Sequence, residues 1–320
     1  MTPSLDLWQM LCTPLIRLIV GLSLGIFIAN ILEALHWTQY LAKLSAPFAK
    51  RAHFGVVSQA AFATAFLSPS ASNAILAEAY AEKRLKHREL VCISLFASFP
   101  AYLVHIPTLF FLLVPVLGFA AVLYVAISLF AALLRTLAVF VVAQHLLPAV
   151  QDEQTNVPKQ TVGFVHAVRQ AWKRLCIRFP RMLVWTVPVY IALFFCQVQG
   201  VFAAIEASLA DNIVFTHILS PQVIGIVMLH MVAELGAAVS ASASLLSLGS
   251  VSTTDIIGAL LIGNMLSTPI RALRHQLPSY VGLFEPALGV RLVFLNQLVR
   301  LLSMAVVTVI FFCLVLWGNV

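Results

Sequence analysis

The sequence predicts an all-α integral membrane protein of two inverted-topology repeats, each with three transmembrane helices plus one re-entrant helical hairpin. Three observations carry this reading. Of 320 residues, 61% are hydrophobic and only 10% charged, with a mean hydropathy of +0.99. So few charges cannot cover a water-soluble surface. A helix needs about 20 apolar residues to cross roughly 30 Å of hydrocarbon, and six segments qualify: 13–33, 90–113, 118–147, 182–200, 255–274 and 291–317. Two further apolar stretches, 54–82 and 221–249, are each broken near the middle by a serine-rich pentapeptide, "SPSAS" at 68–72 and "SASAS" at 240–244. Their limbs are short: residues 54–67 would reach only about 21 Å as a helix.

The first repeat spans 1–147. Its opening "MTPSLDLWQMLCTPL" lacks a basic start and a clear cleavage site, so the first apolar segment is expected to stay as an anchor. The stretch at about 54–82 reads as a hairpin because loop charge demands it. With the N-terminus outside and both broken stretches returning to their side of entry, 16 of the 19 Lys and Arg residues fall in the cytoplasm. Among them are the clusters Lys83, Arg84, Lys86, Arg88 and Arg169, Lys173, Arg174, Arg178, Arg181, together with Arg271 and Arg274. Letting either stretch cross would put basic loops on the wrong side. Both termini are then outside, in a multi-pass protein of the cytoplasmic (inner) membrane. The net charge of +7 orients the chain and implies no nucleic-acid partner.

The linker at 148–181 is the one long polar stretch, and Val165, Val168, Trp172, Leu175 and Ile177 punctuate its basic second part. That pattern predicts a basic amphipathic helix on the inner membrane surface, or a plain connector between the halves. The second repeat, 182–320 with a hairpin at about 221–249, echoes the first. "PVLG" (115–118) matches "PALG" (286–289) and Pro107 matches Pro278, both at an offset of 171. "SFPA" (98–101) parallels "STPI" (267–270) at 169, the pentapeptides at 172, "RLIVGLSLGIFIA" (17–29) parallels "RMLVWTVPVYIAL" (181–193) at 164, and Arg135 parallels Arg300 at 165. Several matches in one order imply a duplication. Three crossings per half is an odd number, so the second half enters the membrane inverted.

The candidate chemistry sits at the breaks. Hydroxyls and small side chains allow close backbone approach and offer donors and acceptors to a polar ligand. The candidate substrate-binding residues are Ser68, Ser70, Ser72 and Asn73 at the first tip, Ser98 at "SFPA", Ser240, Ser242 and Ser244 at the second tip, and Asn264, Ser267 and Thr268 beside Pro269. Serines also back-bond to their own helix, which leaves packing as the alternative for each. Ionisable residues at membrane depth usually face a cavity or one another. His230 and Glu234 share a face at i, i+4 and are candidates for proton coupling, together with Arg135 and Arg300; Arg300 shares a stripe with Asn296 and Gln297. His105 is the remaining polar group at depth. The five cysteines form no CxxC, so neither disulfide nor metal site is expected. "HMVAE" has the wrong spacing for a zinc protease, and no GxSxG or paired aspartates occur. No enzyme activity and no cofactor is expected.

"SPSASNAILAEAY" with "SFPA", and "AELGAAVSASASLL" with "GNMLSTP", resemble the nucleoside recognition (Gate) domain membrane proteins. That group includes the spore maturation A/B-like proteins, and its fold is similar to the core of concentrative nucleoside transporters. The resemblance covers nearly the whole chain at the level of organisation. It implies a secondary transporter or permease that moves a small polar, nucleoside-like solute through a cavity between the repeats. The chain departs from the transporters in that its first tip holds no acidic residue, so nucleoside specificity does not carry over. The alternative is a non-transporting scaffold or partner subunit that keeps the fold. The expected partners are the lipid bilayer, the solute, and a second copy or another membrane subunit.

Overall fold

The computed structural model describes residues 51–149, 163–201, 221–232, 234–247 and 251–318, parts of 11–31, and residues 204 and 249. It is almost entirely helical, with no strand among the described residues. Four helical stretches are long and apolar enough to cross a membrane: His87–Pro107, Phe119–Leu146, Thr253–Phe284 and Pro286–Val315. The predicted span 13–33 lies partly outside the described residues, and 182–200 falls almost wholly within the helix Phe164–Val198.

Two short helices come first, α1 (Val56–Ala65) and α2 (Pro69–Ala81), packed against each other. At 10 and 13 residues they reach about 15 and 20 Å, too short to cross. Their contact is built from Ala60, Ala61, Ala71 and Ala74, all buried, because alanine lets helix backbones come close. Ser72 Oγ donates to the Ala61 carbonyl at 2.7 Å and ties limb to limb. The start of α1 is held by Glu89, whose Oε1 accepts from Gly55 N at 2.9 Å and Ser58 Oγ at 2.6 Å. A carboxylate at a helix N-terminus satisfies orphan amides and suits the dipole. Next to it, His53 Nδ1 lies 3.0 Å from the Leu147 carbonyl. A carbonyl can only accept, so Nδ1 carries the proton.

A broken helix follows, α3 (His87–Phe96) and α4 (Ser98–Leu117), then the long α5 (Phe119–Leu146). The break at Ala97 lies three residues before Pro100, which has no N–H to give, and Ser98 Oγ donates to the Leu95 carbonyl at 2.6 Å. α6 (Phe164–Val198) runs unbroken through residue 181. This differs from the expected surface helix confined to the linker. Its buried row is Ala167, Ala171 and Leu175, whereas Val165, Trp172 and Ile177 are exposed.

The same order of elements then recurs: a short pair, a broken helix, a long helix. The pair is α7 (Pro221–Val232) and α8 (Glu234–Ser247). The broken helix is α9 (Thr253–Arg271), a π-helical turn (Ala272–Gln276) and α10 (Leu277–Phe284), and the long helix is α11 (Pro286–Gly318). Ser252 and Asp255 form a capping box that starts α9. An apolar 18-residue window of Thr253–Phe284 is 72% buried, against 22% for one of Pro286–Val315. α11 exposes Val290, Phe294, Leu298, Leu302, Val306 and Ile310 at helical spacing, an apolar stripe suited to lipid.

Two corrections to the sequence reading follow. The predicted span 255–274 does not end near Arg271 and Arg274, because the helical path continues to Phe284. "SASAS" is not the second hairpin's turn. α7 ends at Val232 and α8 begins at Glu234, so residues 240–244 lie inside α8. That break falls 165 residues after Ser68, the offset of the Arg135/Arg300 pair, so the serine-rich pentapeptides are not equivalent positions.

The chain forms two compact units, one of Met1–Val104, Thr136–Ile191 and Gln276–Asn296, the other of His105–Arg135, Ala192–His275 and Gln297–Val320. Each contains one short helix pair. The first has a core with Phe54, Phe62 and Phe96 in ring contact at 5.3 and 4.7 Å. In the second, Leu113, Ala121 and Tyr124 pack with Ile226, Leu260 and Val307.

Candidate functional site

α9 carries a polar cluster inside an otherwise apolar helix. Asn264, Thr268 and Arg271 fall at i, i+4 and i+7, one face of the helix. Asn264 Oδ1 accepts from Thr268 Oγ1 at 2.9 Å and from an Arg271 terminal nitrogen at 3.3 Å, and the same nitrogen lies 3.4 Å from Thr268 Oγ1. Asn264 and Thr268 are buried. Gln297 and Arg300, one turn apart on α11, join Asn264, Thr268 and Pro269 around a void of about 10 Å³, close to the smallest space that admits one water. The structure thus brings together three predicted residues, Asn264, Thr268 and Arg300, with Arg271 and Gln297. The acidic residue of α9, Asp255, lies 16 residues earlier, about 24 Å along the axis. The cluster therefore carries Arg271 without a carboxylate among the described residues.

His230 on α7 packs against the same helix. It is only 1% exposed, and neither ring nitrogen has a hydrogen-bond partner. A Cβ on Gly263 would meet its Nδ1 at 2.7 Å, so only glycine lets the ring lie against α9. Arg271 is near enough for its charge to act on the imidazole. The predicted His230–Glu234 pair is corrected here. The helix break between them removes the shared i, i+4 face, and the Glu234 side chain lies outside the described residues.

A second cluster lies within the first unit. The Tyr280 hydroxyl on α10 lies beside Asn73 of α2, Ser94 of α3 and Asn296 of α11. These contacts are loose: Ser94 Oγ is buried without a partner at hydrogen-bonding geometry. α11 reaches α10 closely because Gly289 sits on the backbone of Tyr280, where a Cβ would meet the carbonyl group at 2.8 Å.

The tip serines fare differently. Ser68 is the N-cap of α2, accepting from Ala71 N at 3.2 Å. Ser72 bridges the limbs, and Ser70 is half-buried with no bonded partner among the described residues. In α8, Ser240, Ser242 and Ser244 donate to the carbonyls of Gly236, Ala238 and Ser240 at 3.0, 2.7 and 3.3 Å. Ser267 Oγ is 3.5 Å from the Asn264 carbonyl. Apart from Ser70 and Asn73, then, these side chains serve the backbone first. Arg135 is buried in α5, and His105 is exposed on α4.

Arg271 escapes the sequence reading because it was assigned to the cytoplasmic end of the span 255–274, and Tyr280 because it lies beyond that span. The signal for Arg271 is its i+7 spacing from Asn264. Ser94 carries no signal at all, since a lone serine in an apolar helix is ordinary.

Two relatives from Methanocaldococcus jannaschii match nearly the whole chain. The uncharacterized protein MJ0871 is 28% identical over 308 residues, 94% of each chain. The uncharacterized protein MJ1556 is 25% identical over 289 residues, 90% of this chain and 92% of its own. No family model and no solved structure matches the chain. What the comparisons establish is similarity to two archaeal proteins of nearly the same length, end to end.

Proposed function

We propose that the chain is a permease that moves a small polar solute across the cytoplasmic membrane, through a cavity between two inverted repeats. The observation that carries this is the Asn264–Thr268–Arg271 face of α9. Polar and charged groups in a spanning segment are costly, and they recur where a solute or ion passes. Here Asn264 and Thr268 adjoin Gln297 and Arg300 around a small void, and the face flanks Pro269, which has no N–H to give to the carbonyl one turn earlier. The recurring order of short pair, broken helix and long helix supports the repeats, and the short limbs support re-entrant hairpins.

The test is thermal-shift screening of the purified protein against nucleosides, bases, amino acids and short peptides, then uptake of any hit into proteoliposomes. The expected result is a stabilising solute whose shift and uptake are lost in Asn264→Ala and Thr268→Val. A hit untouched by both substitutions removes the α9 face from the mechanism. A scaffold or partner subunit is the second reading, favoured by one observation. The α8 serines are bonded within their own helix and aim no donor at a ligand. On that reading no solute shifts the protein.

A further inference from the structure

A cleft of about 710 Å³ lies wholly within the first unit, between α2, the corner after it and the end of α10. That is the size of a small-molecule site. Its floor is Ala74, Ala77 and Ala81, one face of α2 at spacings of three and four, with Gly282 opposite. Ile26, Ile177 and Phe284 complete an apolar wall. Lys83 and Lys86 stand at the mouth, both exposed. Neither has a carboxylate partner among the described residues, whereas their neighbour Arg84 is paired with Glu82 at 2.7 Å.

The backbone at the mouth is unusual. Lys83 follows the helix end as a left-handed residue, φ 59°. Its N–H bonds to Tyr80 O at 3.0 Å and that of Arg84 to Ala79 O at 2.9 Å, the Schellman pattern in which glycine is the residue of choice. These bonds also use up two carbonyls of the α2 terminus. On the other side Glu285 has φ 71° and ψ 158°, a region close to glycine-only. Strain of this kind clusters where a ligand is clamped.

We propose that this cleft holds an anionic phospholipid, its phosphate between Lys83 and Lys86 and its acyl chain along the alanine floor. The two lysines outnumber the single acidic residue of the lining, Glu285, so charge complementarity chooses an anionic headgroup, and the apolar wall requires a chain behind it. Depth agrees, because the lysines lie just before the span that starts at His87, at the headgroup level of the basic, inner side. This site is separate from the α9 cluster and does not depend on solute transport.

The experiment compares thermal midpoints of the purified full chain with phosphatidylglycerol, with phosphatidylcholine of the same chains, and with inorganic phosphate. Phosphatidylglycerol is expected to raise the midpoint above phosphatidylcholine, and inorganic phosphate to leave it unmoved. Lys83→Gly relieves the left-handed strain, so in phosphatidylcholine it matches or exceeds the wild type. It nevertheless loses at least half of the phosphatidylglycerol shift. Lys86→Gln loses a similar share, Ala77→Leu abolishes the shift by filling the floor, and Lys173→Gln, outside the cleft, keeps it. An undiminished shift in both Lys83→Gly and Lys86→Gln overturns the proposal. So does a full response to inorganic phosphate, which would make the ligand a free anion without a chain.

Discussion

Gly263 and His230 illustrate how one residue decides the packing of another. The imidazole occupies the space where a side chain at 263 would stand, and its two nitrogens gain no hydrogen bond in return. Gly263→Ala has better helix propensity by about 1 kcal/mol. The overpacking it forces costs about 1–3 kcal/mol, so a net loss of stability is expected. Adding His230→Ala removes the obstacle, and the double variant should unfold at a higher temperature than Gly263→Ala alone. Equal midpoints for the two would mean that the ring and the glycine do not meet. The pair was only half legible in sequence. A glycine inside an apolar helix announces a close approach, but nothing in its neighbourhood says that residue 230 is what approaches. His230 was instead assigned to Glu234 by spacing, which assumed a continuous helix.

Among the elements, helix existence was legible and helix ends were not. Runs of twenty or more apolar residues mark spans because only a helix satisfies its own backbone in hydrocarbon. The end of α9 was misplaced because Arg271 and Arg274 read as an aqueous boundary. Asn264 and Thr268 give Arg271 its partners, which lets the helix carry it onward. The second hairpin was misplaced for a related reason. Serine-rich composition suggests a turn, yet the hydroxyls of α8 bond to carbonyls four residues back and leave the helix intact. The triple variant Ser240→Ala, Ser242→Ala, Ser244→Ala should therefore stay within about 1 kcal/mol of the wild type, measured by thermal unfolding in detergent. It should also keep whatever solute shift the wild type shows. Loss of that shift with stability intact would return the serines to the solute site.

At the scale of the whole molecule, the proposed orientation rests on charge, and on that proposal re-entrant hairpins make the charges agree. In a variant with the five cysteines replaced, a single cysteine at Lys86 is expected to resist an impermeant maleimide until the cells are opened. One at Ser252 should react from outside. Reaction of Lys86→Cys in intact cells would reverse the first hairpin's side and with it the inverted arrangement. The compact units were not legible at all, since each is assembled from three separate segments of the chain. The first is completed only by Gln276–Asn296 and the second only by Gln297–Val320. On the ribosome this becomes a matter of timing. A chain that has delivered all of α1 to α6 has made most of one unit, yet it must wait for the segment Gln276–Asn296 before that unit can close. Until then the groups destined to meet Tyr280 and Asn296 face lipid or the insertion machinery, so these two residues belong to the last step of assembly, whatever they do afterwards.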